Sequence, residues 1–380
     1  MAIRYYWPMI DAAVGFRLVL VLSGGDLHLG SRPEVSTLLT SLRRLAKGYW
    51  LKQASMSPYP DLVPSMLMFV ADLLAAMLIR ATGRRLQMLR NRSFKSLDLT
   101  KAVNNSDNVS GGDIASLIYL WNPWAIVTCV GSCTSPIENL MVVVMIFGAC
   151  SRLVPLAAFG YVMATHLSLY PAILIVPVIL LLGYGPDAPP MKVFLLKSSN
   201  ARKGDMSEYD KRTSLKVQRF SWMTVLHFIF WLFIWSCYVL LLSSITLKKV
   251  GGLKEMFEKT YGFILTVKDL SPNTGVLWYF FAEVFDFFRS FFLILFNMNI
   301  VFMVLPLAVR LKHRPSMLSC VCLHSNCCYV EILSLTGDSA LYLGLLGLFA
   351  NELAEMHVLV VESVGSMIKH DRKLILLVTS

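Results

Sequence analysis

Residues 261–315 read YGFILTVKDLSPNTGVLWYFFAEVFDFFRSFFLILFNMNIVFMVLPLAVRLKHRP. A polar turn (Asp269, Ser271, Pro272, Asn273, Gly275) leads into a run dense in Phe, Tyr and Trp. A nearly uncharged apolar run follows and stops at Arg310, Lys312, His313 and Arg314. This order is that of a membrane span. Amphipathic rings such as Trp278 and Tyr279 suit the bilayer interface, and the basic stop suits the cytoplasmic side. Glu283, Asp286 and Arg289 fall three residues apart, on one face of a helix. Charges at that depth are costly unless they are paired or face a cavity.

The composition agrees. Of 380 residues, 56% are hydrophobic and 16% charged, and the mean hydropathy is +0.60. Repeated apolar runs near the roughly 20 residues that a bilayer core requires exclude a single soluble enzyme core. They predict an all-α, polytopic transmembrane protein of about 8–10 membrane segments, forming one membrane domain over residues 1–380. The net charge of +11 raises nucleic acid as a partner. The basic residues gather in a few loops between apolar runs, however, which is the positive-inside pattern.

Taken in order, the first helix is expected over about Trp7–Ser23, a retained signal anchor interrupted by Asp11 and Arg17. Residues 24–62 form a lumenal amphipathic segment in which Leu38, Leu39, Leu42 and Leu45 recur at helical spacing, as in a helix lying on the membrane. A second span over about Val63–Ile79 contains Asp72 and ends in Arg80, Arg84 and Arg85. Residues 81–114 are polar without strong periodicity, a cytosolic loop carrying sequons at Asn91, Asn104 and Asn108. Four shorter apolar runs follow, at about Ala115–Val130, Ile137–Cys150, Leu153–His166 and Tyr170–Gly185. Residues 186–219, with eight basic residues from Lys192 to Arg219, form a second cytosolic loop. A long helix over about Phe220–Leu247 then leads to a lumenal loop, 248–276, and to the opening stretch.

Catalytic machinery is sought and not found. A polyprenyl-sugar glycosyltransferase calls for paired acids in the first lumenal loop, where only Asp26, His28, Glu34 and Asp61 stand. No GxSxG, P-loop, GxGxxG or HExxH occurs. Cys320, Cys322, His324, Cys327 and Cys328 crowd together without zinc-finger spacing, so no metal is assigned. Cys129, Cys150 and Cys237 are expected to be packing residues. His166, His227 and His357 are expected in hydrogen-bonded helix packing. No cofactor is expected.

The 261–315 block resembles the U subunit of the glycosylphosphatidylinositol (GPI) transamidase family. So do SRPEVSTLLTSLRRLAKGYWL with SMSPY, LIYLWNPWAIVTCVG, SLYPAILIVPVILLL, GDSALYLGLLGLFANELAEM and VVESVGSMIKHDRK. The resemblance implies a non-catalytic, multi-pass subunit of the endoplasmic reticulum membrane. Such a subunit binds GPI lipid and presents it to a cysteine-protease-like catalytic subunit, on a fold similar to GT-C glycosyltransferases without their catalytic acids. The chain departs from the family pattern after Pro60, over 316–336, and between Met356 and His357, as if by internal deletion. The lipid-binding candidates, chosen by depth and polarity, are Asn273, Trp278, Glu283, Phe285, Asp286 and Arg289, with Asn297 and Asn299 deeper. The alternative is a dolichyl-phosphate-mannose-dependent GPI mannosyltransferase acting through Asp26 and Glu34. A transporter or channel is a third reading, without an inverted repeat to support it.

Overall fold

A computed structural model of the chain describes residues 2–23, 62–96, 110–185, 220–248, 252–262, 280, 283, 286–311 and 336–350. The described residues form helices and short connections, with no strand. In a bilayer every backbone polar group must be satisfied within the protein, and a helix achieves this alone.

Helix α1 (Ala2–Ser23) and helix α2 (Leu62–Ser96) come first. At 1.5 Å per residue the 35 residues of α2 extend about 52 Å, well beyond the ~30 Å hydrocarbon core. Its apolar part is Met66–Leu89, and the polar remainder continues helical to Ser96. Nearly half of the segment 81–114 expected as an irregular loop, residues 81–96, is therefore helix. Beyond Gly83 its sequence, RRLQMLRNRSFKS, contains neither Gly nor Pro, and its Leu, Gln, Met and Arg are good helix formers.

Helices α3 (Gly111–Trp121) and α4 (Pro123–Val130) form an apolar pair bent by 51° at a break between them. The break follows from the sequence. A residue before proline is pushed out of the α region, and Asn122 is extended (φ −66°, ψ 122°). Its side-chain carbonyl then accepts from the Trp124 N–H at 3.0 Å, capping α4 with Pro123 in the first turn.

Helix α4 and helix α5 (Ser135–Cys150) stop in the same way. Ser132 (φ 53°) and Arg152 (φ 57°) enter the left-handed region. Cys133 N–H then bonds Thr128 O and Leu153 N–H bonds Gly148 O, at 3.2 and 2.8 Å. This paired closure of helix ends normally uses glycine. The two non-glycine residues are held there by the packed helices that begin directly after them. Beyond the second stop, helix α6 (Val154–Leu167) returns antiparallel against α5. The two backbones approach at Gly148 and Gly160, where an added β-carbon would stand 2.6 Å from Ala157 N and Met145 N respectively.

A 3₁₀ turn (Tyr170–Leu174) runs into helix α7 (Ile175–Tyr184). Helix α8 (Trp222–Leu247) lies along α6 through Val225, Phe228 and Val239, with Phe159 edge-on to Trp235. Short helix α9 (Gly252–Phe257) ends in a wide turn, Glu258–Gly262. Helix α10 (Asp286–Leu311) makes a narrow contact with α7. Helix α11 (Thr336–Leu346), continued by the 3₁₀ turn Gly347–Phe349, packs on α3 and α4.

Among the described residues, three helices are long and apolar enough to cross a membrane: Met66–Leu89, Trp222–Leu247 and Phe287–Val304. The bent pair passes the same test of length and composition when its two helices are taken together, and shorter apolar helices lie among them. One buried core of small, aliphatic and some aromatic residues joins α1, α2, α3, α5, α6, α7, α8, α10 and α11. The outer faces of α8 and α10 are apolar and exposed, as suits contact with lipid. The chain is an all-α, polytopic membrane protein.

Candidate functional site

The candidates proposed from sequence cluster on and before α10. Of these, Asn273, Trp278 and Phe285 lie outside the described residues, as do Asp26 and Glu34, the 320–328 cysteine cluster and His357. Asp286 opens α10, Glu283 is exposed just before it, and the ring of Phe280 stands edge-on to Phe292 at 5.1 Å.

Helix geometry divides the remaining three. Each residue turns about 100°, so Arg289, Leu293 and Asn297, at i, i+4 and i+8, form one ridge, joined a little further on by Val304. That ridge is the inward one: Arg289 and Asn297 are half-buried, Leu293 and Val304 buried. Asn299 follows Asn297 by two residues, about 200° around the helix, and is exposed. Arg289 and Asn297 thus share a face that Asn299 does not.

Two charged clusters that the sequence reading did not assemble lie deeper. In the first, Arg17 of α1 meets Asp72 of α2 at 2.5 Å, both buried. Arg17 Nε and Nη2 donate to the Leu120 carbonyl at 3.2 and 2.7 Å. The Tyr119 hydroxyl donates to the other Asp72 oxygen at 2.8 Å. Both carboxylate oxygens and three guanidinium nitrogens are engaged, so the cluster has little capacity left to bind or transfer a proton. It ties α1, α2 and the end of α3 together.

In the second cluster Arg80 Nε donates to Asp113 at 2.6 Å, with Arg84 at 3.6 Å. The Arg80 guanidinium lies over the Tyr6 and Trp7 rings, 3.7 and 4.8 Å from their centroids, where the ring quadrupoles attract it. Tyr6 in turn bonds Ser116 at 3.0 Å. Half-exposed Trp7 marks this end as an interface level.

A third polar group joins helix ends. The Tyr261 hydroxyl donates to the His166 carbonyl at 3.2 Å, and Ser243 lies 3.4 Å from the His166 ring. Burial raises the Tyr261 phenol pKa. His227 accepts from Trp231 Nε1 at 2.8 Å. His166 thus joins helix ends as expected, whereas His227 is exposed and bonds within its own helix, so it packs no second helix. Cys129 and Cys150 are buried as expected, whereas Cys237 is exposed, because α8 is covered along one face alone. Among the described residues no three metal-ligating side chains converge.

The sequence signals for these clusters were present but incomplete. Arg17, Asp72, Arg80 and Asp113 are each visible as charges in or beside apolar runs. Their pairing spans 55 and 33 residues, and no local period connects them.

The model of the family described as GPI transamidase subunit PIG-U matches residues 60–370. The human protein named GPI-anchor transamidase component PIGU is 26% identical over 336 residues, covering 81% of this chain and 70% of its own length. The mouse protein of the same name is 26% identical over 335 residues, with the same coverage. The Saccharomyces cerevisiae protein named GPI transamidase component GAB1 is 26% identical over 305 residues, 76% of this chain and 64% of its own length.

Proposed function

The chain belongs to the family of the GPI transamidase subunit PIG-U, and from that premise we propose that it is a non-catalytic subunit acting in the attachment of GPI anchors to proteins. The observation that carries this reading is the family match, which runs through α2 to α11 and so includes Asp72, Arg80, Asp113 and the α10 wall. The paired acids of a lipid-sugar glycosyltransferase are missing from the sequence of the first lumenal loop. The Arg17–Asp72 pair inside the helical core is saturated by its mutual bond, the Tyr119 hydroxyl and the Leu120 carbonyl, as suits a scaffold.

The proposed location is the endoplasmic reticulum membrane. The proposed ligand is GPI lipid, held against the wall that begins near Asn273, Trp278, Glu283, Phe285 and Asp286 and continues along the Arg289–Asn297 ridge. A guanidinium suits a lipid phosphate, and a carboxamide suits glycan or glycerol oxygens. The proposed partners are the other transamidase subunits, including a cysteine-protease-like catalytic subunit. Affinity purification of the tagged full chain from microsomes tests this. Recovery of that catalytic subunit is the expected result. Recovery of the chain alone, with mannosyltransferase activity that Asp26→Ala abolishes, overturns it.

A further inference from the structure

The apolar part of α2, Met66–Leu89, has 24 residues and so extends about 36 Å, some 6 Å more than a ~30 Å hydrocarbon core. Its last turn therefore reaches the head-group layer, the level that half-exposed Trp7 also marks. Arg84 and Arg85 stand at that boundary, and α2 runs on to Ser96 with Arg90, Arg92 and Lys95 and no acidic residue. Their counter-charge is missing. Among the described residues, the ion pairs at this end all go to one carboxylate, Asp113, whose Oδ1 is taken by Arg80 Nε at 2.6 Å. Arg84 Nη2 stays 3.6 Å from the same oxygen, with 51% of its side chain exposed. Arg85 is half-buried, and its Nε, closed off from solvent, has no hydrogen-bond partner. The rest of the chain does not supply the difference. Residues 84–109 hold six basic and two acidic residues, 186–219 eight and four, and the whole chain is +11.

We infer that this end of α2 is a docking surface for anionic glycerophospholipid, with Arg84 and Arg85 holding the head-group phosphate beside Trp7. A guanidinium fork takes phosphate oxygens in pairs, and the long arginine stems let it reach from the edge of the hydrocarbon to the head group. A free phosphate carries the same oxygens. A lipid also brings acyl chains, and these match the apolar surface next to the charges: Met88, one turn beyond Arg84 on the same face, and Trp7 are each about half exposed. The surface lies on α2 rather than on the α10 wall, and its assignment does not rest on the function proposed above.

The test places the purified full chain in bilayers of equimolar phosphatidylinositol and phosphatidylcholine, with a photo-crosslinking amino acid at Met88 or, as control, at the exposed α8 position Leu241. Mass spectrometry identifies the lipid adducts. An arginine facing anionic lipid is worth about 5-fold in affinity. The expected result is therefore an excess of phosphatidylinositol adducts of at least about 5-fold at Met88 and no excess at Leu241. Arg84→Gln with Arg85→Gln should abolish the excess, and Arg84→Lys with Arg85→Lys should keep most of it. In phosphatidylcholine alone neither pair of substitutions should lower the melting temperature. Equal adducts of the two lipids at Met88 in the unsubstituted chain overturn the inference, whether or not the variants fold. So does an excess that survives the glutamine substitutions. An excess that inorganic phosphate removes overturns it in favour of a free anion. One that appears only with Asp98→Asn and Asp107→Asn overturns it in favour of the chain's own residues 97–109 as the partner of the arginines.

Discussion

Asp72 shows what a single residue does here. It lies inside the apolar part of α2 with Arg17, Tyr119 and, through Arg17, the Leu120 carbonyl arranged around it. Asp72→Ala leaves Arg17 charged and buried without its counter-ion, which costs about 3–5 kcal/mol. The expected outcome is loss of the folded chain in detergent, seen as a collapsed thermal transition and low yield. Tyr119→Phe removes one bond to a charged acceptor and should cost about 1.5–3 kcal/mol, a milder shift of the same transition. Replacing Arg17 and Asp72 together by Met and Leu should recover much of the single-mutant loss, because the isolated charge is gone. Equal loss in the double and single variants would show that the pair acts by something other than mutual neutralisation. The sequence displayed both charges as interruptions of apolar runs. It did not display their partnership, because ion pairs between helices depend on which faces meet in space.

At the scale of elements the apolar runs were largely legible. The runs read at 115–130, 137–150, 153–166 and 170–185 correspond to α3 with α4, α5, α6, and the 3₁₀ turn with α7. Apolar length and Pro, Ser or Arg punctuation mark them, and those signals are local. The helical extension of α2 to Ser96 was missed because its charged and polar residues carry no hydrophobic stripe to mark a helix. How the elements cross was also illegible, since a close approach depends on two distant small residues. At the crossing of α2 and α3, a β-carbon on Gly83 would overlap Gly112 Cα. Gly83→Val must therefore push the helices apart, and overpacking of this kind costs about 1–3 kcal/mol or more. Lower thermal stability and weaker retention of α3 contacts, measured by cysteine cross-linking between the two helices, are expected. Gly15 of α1 has nothing within 4 Å of its would-be β-carbon. Gly15→Ala should be neutral or stabilising by up to about 1 kcal/mol. Destabilisation by both alike would mean that helix flexibility, rather than the crossing, is what glycine provides.

Across the whole molecule, contacts sort the helix ends into two sets. One set includes the start of α1, the Arg80–Arg84 turn of α2, the start of α3 and Leu348, joined through Tyr6, Asp113, Gly83 and Gly111. The end of α6, the end of α8 and the turn at Tyr261 meet in another, through His166 and Ser243. Charge separates the two in the way the positive-inside rule uses. The first set continues into Arg84–Lys101, whereas the second includes the short helix α9, which holds both Lys254 and Glu255. A cytosolic first set and a lumenal second set are therefore predicted, and glycosylation in microsomes reads the orientation out. Asn91, Asn104 and Asn108 should carry no glycan, Asn91 being on the extension of α2. Exposed Glu258 stands two residues before Thr260, so Glu258→Asn places an acceptor sequon on the other side. A glycosidase-sensitive mass increase of one glycan should appear in that variant and be absent from the unsubstituted chain. A glycan on the natural sequons with none after Glu258→Asn would invert the topology. The inversion would put the 186–219 basic loop in the lumen, opposite to what charge requires, and would move the proposed lipid entrance near Asn273 to the cytosolic face.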